Sequence, residues 1–487
     1  MASTDANAIE VPIGTTPSAT APAESFSLWS AFALAFSDIS PIVGIYSVFA
    51  LGLVTAGPAF WWAFPIVLLG QLAVAGVFGD LVSKWPLQGS VYAWARQLLG
   101  VRAGWFTNWI YSWGLTIAVS VLALSAAQFF AAAVGLDDLS ATQTSFLAVA
   151  FLAFGTAANV LGDRYLKVLL YVSMTCELVA SAGIGIALLF FHRQHSFSIL
   201  FDGRGTGHGA GYLWSPFLIV IAIVGFSFVG FESAGAIAEE VKEARRTLPR
   251  AMVLALAAVG GLVMFAALGL LLAVPDLEAV MSGADADPIT TTLETHLGST
   301  TGRILLVALT IGFAASLIAV QAAVSRSLWA SARAAELPAS GWLVQLKGRD
   351  RLPVNTIGVV AVVAAVLVFI HNDNVYALLL SAATTGFVVS YLIPIVGAAV
   401  QRARGRWTPG PVHRRFSGLL TYVAAVWIVL EAVNIAWPRD LYGVWYLNWG
   451  IVLAVVVLVV VGAGVSAVVL RDRPTAEPAE PVREPAL

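Results

Sequence analysis

Twelve apolar stretches decide the architecture of this chain before any single residue is considered. They run approximately from 28 to 56, 60 to 84, 103 to 134, 143 to 161, 165 to 191, 213 to 238, 250 to 275, 303 to 333, 353 to 371, 375 to 400, 417 to 437 and 445 to 470. A hydrocarbon layer about 30 Å thick is crossed by roughly 20 helical residues, the length these stretches supply. Backbone polar groups in lipid must be satisfied inside the spanning segment, so the spans read as helices. Composition agrees: 59% of the 487 residues are hydrophobic and 11% charged, too few polar groups to clad a water-soluble globule. The expected fold is an all-α polytopic membrane protein with 12 transmembrane helices.

The basic residues orient it. With the N-terminus in the cytoplasm, only Arg193, Arg204, Arg303 and Arg439 of the 26 lysines and arginines fall on the outer side. The excess of positive charge on inner loops then predicts that both termini are cytoplasmic and that the protein sits in the plasma or inner membrane. Residues 1–27 contain no Lys or Arg and so lack the basic start of a cleaved signal peptide. They are expected to be a disordered tail, as are residues 471–487. A net charge of −2 leaves no nucleic-acid footprint. The single cysteine, Cys176, allows no internal disulfide, and no Cys/His cluster has metal-ligand spacing. Six histidines without an HExxH or similar arrangement, and no nucleophile with its base, argue against an enzyme, a metal or a cofactor.

Two spans are interrupted. The first carries Ser37, Asp38, Ile39, Ser40, Pro41, Ile42, Val43 and Gly44 at mid-depth, and the sixth carries the run from Gly225 to Gly235. Both join residues that weaken a helix to residues able to hold a polar solute. A break is tolerated at membrane depth only where it lines a cavity or is covered by protein. Each opens a block of five spans, residues 28–191 and 213–400, with two further helices over 417–470. Matched interruptions in two halves are the sequence mark of an inverted-repeat transporter with its substrate at the midplane; two ordinary Pro/Gly kinks are the plainer alternative.

At these residues the chain resembles the amino acid, polyamine and organocation permease superfamily. The segment GFESAGAIAEEVKEARRTLPRAM, Gly230 to Met252, is similar to its sixth helix and following loop. WPLQGSVYAWA, Trp85 to Ala95, is similar to its pattern after the second helix, with Ser90 where a second glycine is usual. SRSLWASARAAELP, Ser325 to Pro338, resembles its arginine-rich end of the eighth helix, with Ala334 and Ala335 where aspartate and glycine are usual. The first-helix tract is closer to the choline and γ-aminobutyrate branch. The resemblance covers about residues 28 to 470 and implies a LeuT-like five-plus-five inverted repeat with discontinuous first and sixth helices. It also implies a secondary carrier of amino acids or related small amines by proton-coupled symport or exchange, or alternatively a sodium-coupled or facilitative carrier of choline, polyamines or γ-aminobutyrate, monomeric or homodimeric.

The candidate site follows from the breaks. Free amides at Ile42, Val43 and Gly44, beginning a half-helix behind Ser40 and Pro41, would seat a carboxylate without an arginine. Carbonyls near Phe226, Ser227, Phe228 and Gly230 would accept from an ammonium, and by resemblance Phe226 is an aromatic lid over the substrate. Acids at membrane depth are costly and default to functional candidates. By resemblance Glu232 serves gating or proton coupling, with a structural role as the alternative. Glu177 holds a proton, helps replace a sodium ion, or is structural. Asp38 couples or caps the following half-helix. Glu431 has a structural or dimer-contact reading, and Gln71, Ser316 and Gln321 either line the cavity or join helices. The charge run EEVKEARRTLPR, Glu239 to Arg250, reads as a solvated extension whose acids and bases pair with one another, and by resemblance alone as a gate. A channel, or a sensor without flux, are the other function classes.

Overall fold

A computed structural model gives residues 22–471 apart from 137, 207–208, 371–372, 408–409, 411–416 and 440–443, with the side chains of 373–381 also outside the description. His208 of the outer loop, Arg414, Arg415 and most of both expected tails therefore lie outside the described residues.

The first span is two helices, α1 (Leu28–Ile39) and α2 (Pro41–Ala56). The second is α3 (Ala63–Lys84), followed by the short α4 (Val91–Leu99). The third to fifth are α5 (Val101–Val134), α6 (Ala141–Val160) and α7 (Asp163–Ile186). The sixth is again divided, into α8 (Leu218–Gly225) and α9 (Ser233–Ala236). Then come α10 (Ala244–Ala273), the short α11 (Pro288–Leu297), α12 (Ser299–Arg333), α13 (Val354–Leu367), α14 (Asp373–Ala403), α15 (Ser417–Ala436) and α16 (Gly450–Val469).

Among the described residues 11 spans are long and apolar enough to cross a bilayer. The ninth expected span, α13, is the exception: its 14 residues reach only about 21 Å.

Packing is symmetric under exchange of the two five-span blocks. The second span packs on the seventh (α3 on α10), the third on the eighth (α5 on α12) and the fourth on the ninth (α6 on α13). The third meets the tenth (α5 and α14) as the fifth meets the eighth (α7 and α12). The two divided spans lie at the centre, α1 against α7, α10 and α12, and α2 against α8. This is the arrangement of a LeuT-like inverted repeat. By contrast α16 has only 6% of its apolar window buried against 78% for the second span, so it lies at the periphery.

Close approach of backbones holds the core together, because helices in lipid gain from packing rather than from leaving water. Gly114 of α5 lies directly on Gly386 of α14, and Gly269 of α10 stands with its Cβ direction 3.0 Å from the carbonyl of Gly185 in α7. Gly114→Val should therefore part α5 from α14 and cost about 1–3 kcal/mol, read as a lower midpoint of thermal unfolding in detergent; an unchanged midpoint would show that the helices do not depend on this contact.

Candidate functional site

The first break is a single residue. Ser40 has φ 50 and ψ 111, yet its amide still bonds Phe36 (2.8 Å) and its carbonyl already accepts from Gly44 (2.9 Å), so one helix ends and the next begins on it. A non-glycine residue with positive φ costs on the order of 1–3 kcal/mol. The Ser40 hydroxyl offsets this by accepting from the Val43 amide (3.3 Å) and donating to Glu177 Oε2 (2.5 Å). Pro41, at the first helical position, has no N–H to satisfy. The other Glu177 oxygen accepts from Ser173 (2.8 Å). Glu177 is fully buried, with Gly312 of α12 against it. The amides of Val43 and Gly44 in the first turn of α2 are thus already engaged, and Pro41 has none.

Asp38 does not cap this half-helix. The cap is Ser40, because an N-cap at 38 would need amides at positions 40 or 41, and Pro41 has none. Asp38 instead stands in the last turn of α1 against Gly230 of the second break, within electrostatic reach of Glu232, and its Oδ2 is buried without a hydrogen-bond partner.

In the sixth span α8 tightens into a 3-10 turn over Phe226–Phe228, Val229 is extended, and Gly230 turns the chain at φ 104. A Cβ on Gly230 would sit 2.6 Å from Asp38 Oδ1, so both its conformation and its space require glycine. Ser227 donates to the Gly44 carbonyl (2.9 Å) and joins the two breaks directly. Phe228 is fully buried edge-on to Phe64, whereas Phe226 is only partly buried. Glu232 has no exposed surface and is held by two phenols: Tyr111 of α5 donates to Oε1 (2.9 Å) and Tyr391 of α14 donates to Oε2. Tyr391 also accepts from the Gly230 amide (3.0 Å), and Ser90 donates to the Glu232 carbonyl (3.0 Å). Sequence reading missed Tyr111, Tyr391, Ser90 and Ser173. The signal for the two tyrosines was the acid itself, since a carboxyl buried at membrane depth requires donors from other spans.

At the end that the basic residues assign to the cytoplasm, ion pairs close the bundle. Glu240 accepts from both Nε (2.8 Å) and an Nη (3.1 Å) of Arg326, all buried, and from Gln88 (2.7 Å). Arg333 grips Glu239 with two nitrogens (2.6 and 2.5 Å). Glu239 and Glu240 of the EEVKEARRTLPR run therefore pair with α12 rather than within their own loop, because the chain after α9 bends across the bundle instead of extending into water. Phe26, fully buried, is bridged to Val241, and Lys167 bonds the Ser25 carbonyl (3.1 Å). Residues Ser25 to Ser27, placed by composition in the tail, are thus fastened over the inner end.

Next to Ala334 and Ala335, Glu336 is fully buried and takes Arg96 (2.9 Å) and Tyr92 (2.8 Å). Burial, and then the neighbouring Glu336, push the Tyr92 hydroxyl well above the ordinary phenol range, so it stays a donor. Ser90 (φ 50) and Ala335 (φ 55) both take the positive-φ backbone that favours glycine.

The other polar candidates join helices. Gln71 donates to Glu431 (2.8 Å), which is buried beside Gly225, so Glu431 serves contacts inside the protein rather than at a dimer surface. Asn434 donates to the Leu218 carbonyl (2.8 Å). Gln321 donates to Thr156 (2.9 Å), and Ser316 donates to the Ser37 carbonyl (2.7 Å) just before the first break. Among the described residues no cluster of His, Cys, Asp and Glu could hold a metal ion.

Residues 26–463 match the family model described as amino acid permease. The amino-acid permease BAT1 of Arabidopsis thaliana is 23% identical over 452 residues, covering 85% of each chain. The polyamine transporter TPO5 of Saccharomyces cerevisiae is 23% identical over 441 residues, 82% of this chain and 68% of the relative. The low-affinity putrescine importer PlaP of Escherichia coli is 26% identical over 381 residues, 76% and 80% of the two chains.

Arg326→Met leaves the Glu240 charge buried against Gln88 alone and should destabilise the protein by roughly 3–5 kcal/mol, most of it recovered on adding Glu240→Leu; thermal unfolding of the single and double variants measures this, and additive losses would refute the pairing. Gly230→Ala should cost about 1–3 kcal/mol in backbone strain and displace Asp38. Its check is a lower midpoint of thermal unfolding in detergent, and an unchanged midpoint would show that the turn does not need glycine.

Proposed function

Because this chain belongs to the amino acid permease family, we propose that it is a secondary carrier of small amine-bearing solutes, amino acids or amines, working by alternating access with a proton as the coupling ion. One observation carries the reading: two central spans lose helical hydrogen bonding at matched positions and meet there, Ser227 on Gly44 and Asp38 on Gly230. Such paired breaks suit a polar guest held between half-helices. Relatives that are an amino-acid permease, a polyamine transporter and a putrescine importer support the class of solute.

Glu232 is the proposed coupling group. As a carboxylate it ties α9 to α5 and α14 through Tyr111 and Tyr391. A proton on it would replace an acceptor by a donor and loosen both ties, freeing the divided span to move against the third and tenth. Movement at the inner end then requires Arg326 and Arg333 to leave Glu240 and Glu239, and the segment at Phe26 to lift from Val241. The proton is favoured over sodium because the Glu177 carboxyl occupies the space between α2, α7 and α12 and both its oxygens already accept from the Ser40 and Ser173 hydroxyls. In this reading the protein lies in the plasma or inner membrane with both termini cytoplasmic, as monomer or homodimer.

Purified protein in liposomes tests it. Saturable uptake with counterflow is expected, whereas flux far above about 10³ per second would mark a pore. Glu232→Gln is expected to abolish stimulation by a pH gradient while leaving substrate binding within a few-fold of wild type; equal loss of binding and of gradient-driven uptake would refute the coupling role.

A further inference from the structure

Resting on the carrier reading above, we propose that the solute taken at the paired breaks is an organic cation without a carboxylate, an amine or polyamine rather than an α-amino acid. The seat that an amino acid's carboxylate needs is already taken. A carboxylate docks at the start of a half-helix because the first amides there have no helical acceptor. In α2 those donors are largely engaged. Pro41 has none, Val43 bonds the Ser40 hydroxyl and Gly44 the Ser40 carbonyl, and the Glu177 carboxylate, held by that same hydroxyl, stands at the start of the helix. The chain thus supplies its own carboxylate at this half-helix, fixed from two sides by Ser40 and Ser173. A second carboxylate brought there would lose the amides and meet a like charge in a low-dielectric site.

The charge around the breaks points the same way independently. Asp38, Glu177 and Glu232 gather there, and the ion pairs of the described residues lie elsewhere, on Arg96, Arg204, Arg326, Arg333 and Arg402. Asp38 Oδ2 is buried with no donor. Glu177 and Glu232 already accept at both oxygens, and Asp38 Oδ2 is the acceptor left for a cation's N–H group. Just beyond Gly44 and Gly312, Tyr46 packs edge-on to Phe129 (4.9 Å), which stacks on Phe313 at 5.1 Å, and the Tyr46 hydroxyl donates to Asp287 (2.8 Å), so aromatic rings and a further acid adjoin the breaks. A diamine satisfies both the acids and the rings.

The test uses matched compounds that differ at the carboxylate: cadaverine against lysine, agmatine against arginine, and lysinamide, which keeps the lysine framework with the carboxylate masked. Each competes for labelled-putrescine uptake by the full chain in proteoliposomes. Cadaverine, agmatine and lysinamide are expected to inhibit at least about tenfold better than lysine and arginine, the size of a contact between like charges. Glu177→Ala should narrow that ratio by improving the amino acids, and where that variant does not fold, the wild-type ratio decides alone. Saturable transport in which lysine competes as well as cadaverine, with labelled lysine carried where putrescine is not, would overturn the proposal and leave the carrier reading standing. Absence of saturable transport for any compound would overturn both.

Discussion

The fold depends on one requirement: amides and carbonyls released where a helix breaks in mid-bilayer have to be hydrogen-bonded by the protein itself. At the first break that duty falls on Ser40, whose side chain both caps α2 and hands its proton to Glu177. At the second it falls on Gly230, whose positive φ places its amide on Tyr391 and its Cα against Asp38. Interior spans are drawn in as a consequence. The third and tenth are recruited by Glu232, the fifth by the first break, and the eighth by the carbonyl of Ser37.

Buried acids in this protein divide by partner. Glu240 and Glu336 meet arginines near one end of the bundle, where breaking an ion pair opens a route for the chain to move. Glu177 and Glu232 meet only hydroxyls and amides, an environment that holds charge by hydrogen bonds and leaves it able to respond to an approaching proton or cation. Glu431 belongs to neither group. With Gln71 it fastens the fifteenth helix behind α8, close enough to Gly225 that a side chain there would collide with it. The half of the sixth span that leads into the break is thereby backed by a helix outside the repeated core.

Much of this was legible in the chain. Apolar length set the spans, and the two interruptions at Ser40–Gly44 and Gly225–Gly235 were visible as clusters of small, polar and helix-breaking residues. Asp38, Glu177 and Glu232 stood out because charge at that depth is expensive. The capping role of Asp38, the free amides of Ile42 to Gly44 and the self-pairing of the Glu239–Arg250 run were not matched by the structure. Each of the three depended on which atom of another segment arrives first: Ser40 instead of Asp38, Glu177 at the start of α2, and Arg326 and Arg333 at the acids of the loop. Ser90 and Ala335 show a related limit, for both take up the backbone of a glycine despite carrying a side chain.

The sequence by itself determined that the chain is a bundle of membrane helices, where along it two of them break, and which acids sit at that depth, because hydrophobic length and local helix-breaking chemistry act between neighbours in the chain. Only the tertiary structure decided what those acids hold. Hydrogen bonds from Tyr111, Tyr391, Ser40 and Ser173 form between groups brought together by packing from distant positions, and no spacing along the chain records which of them will meet.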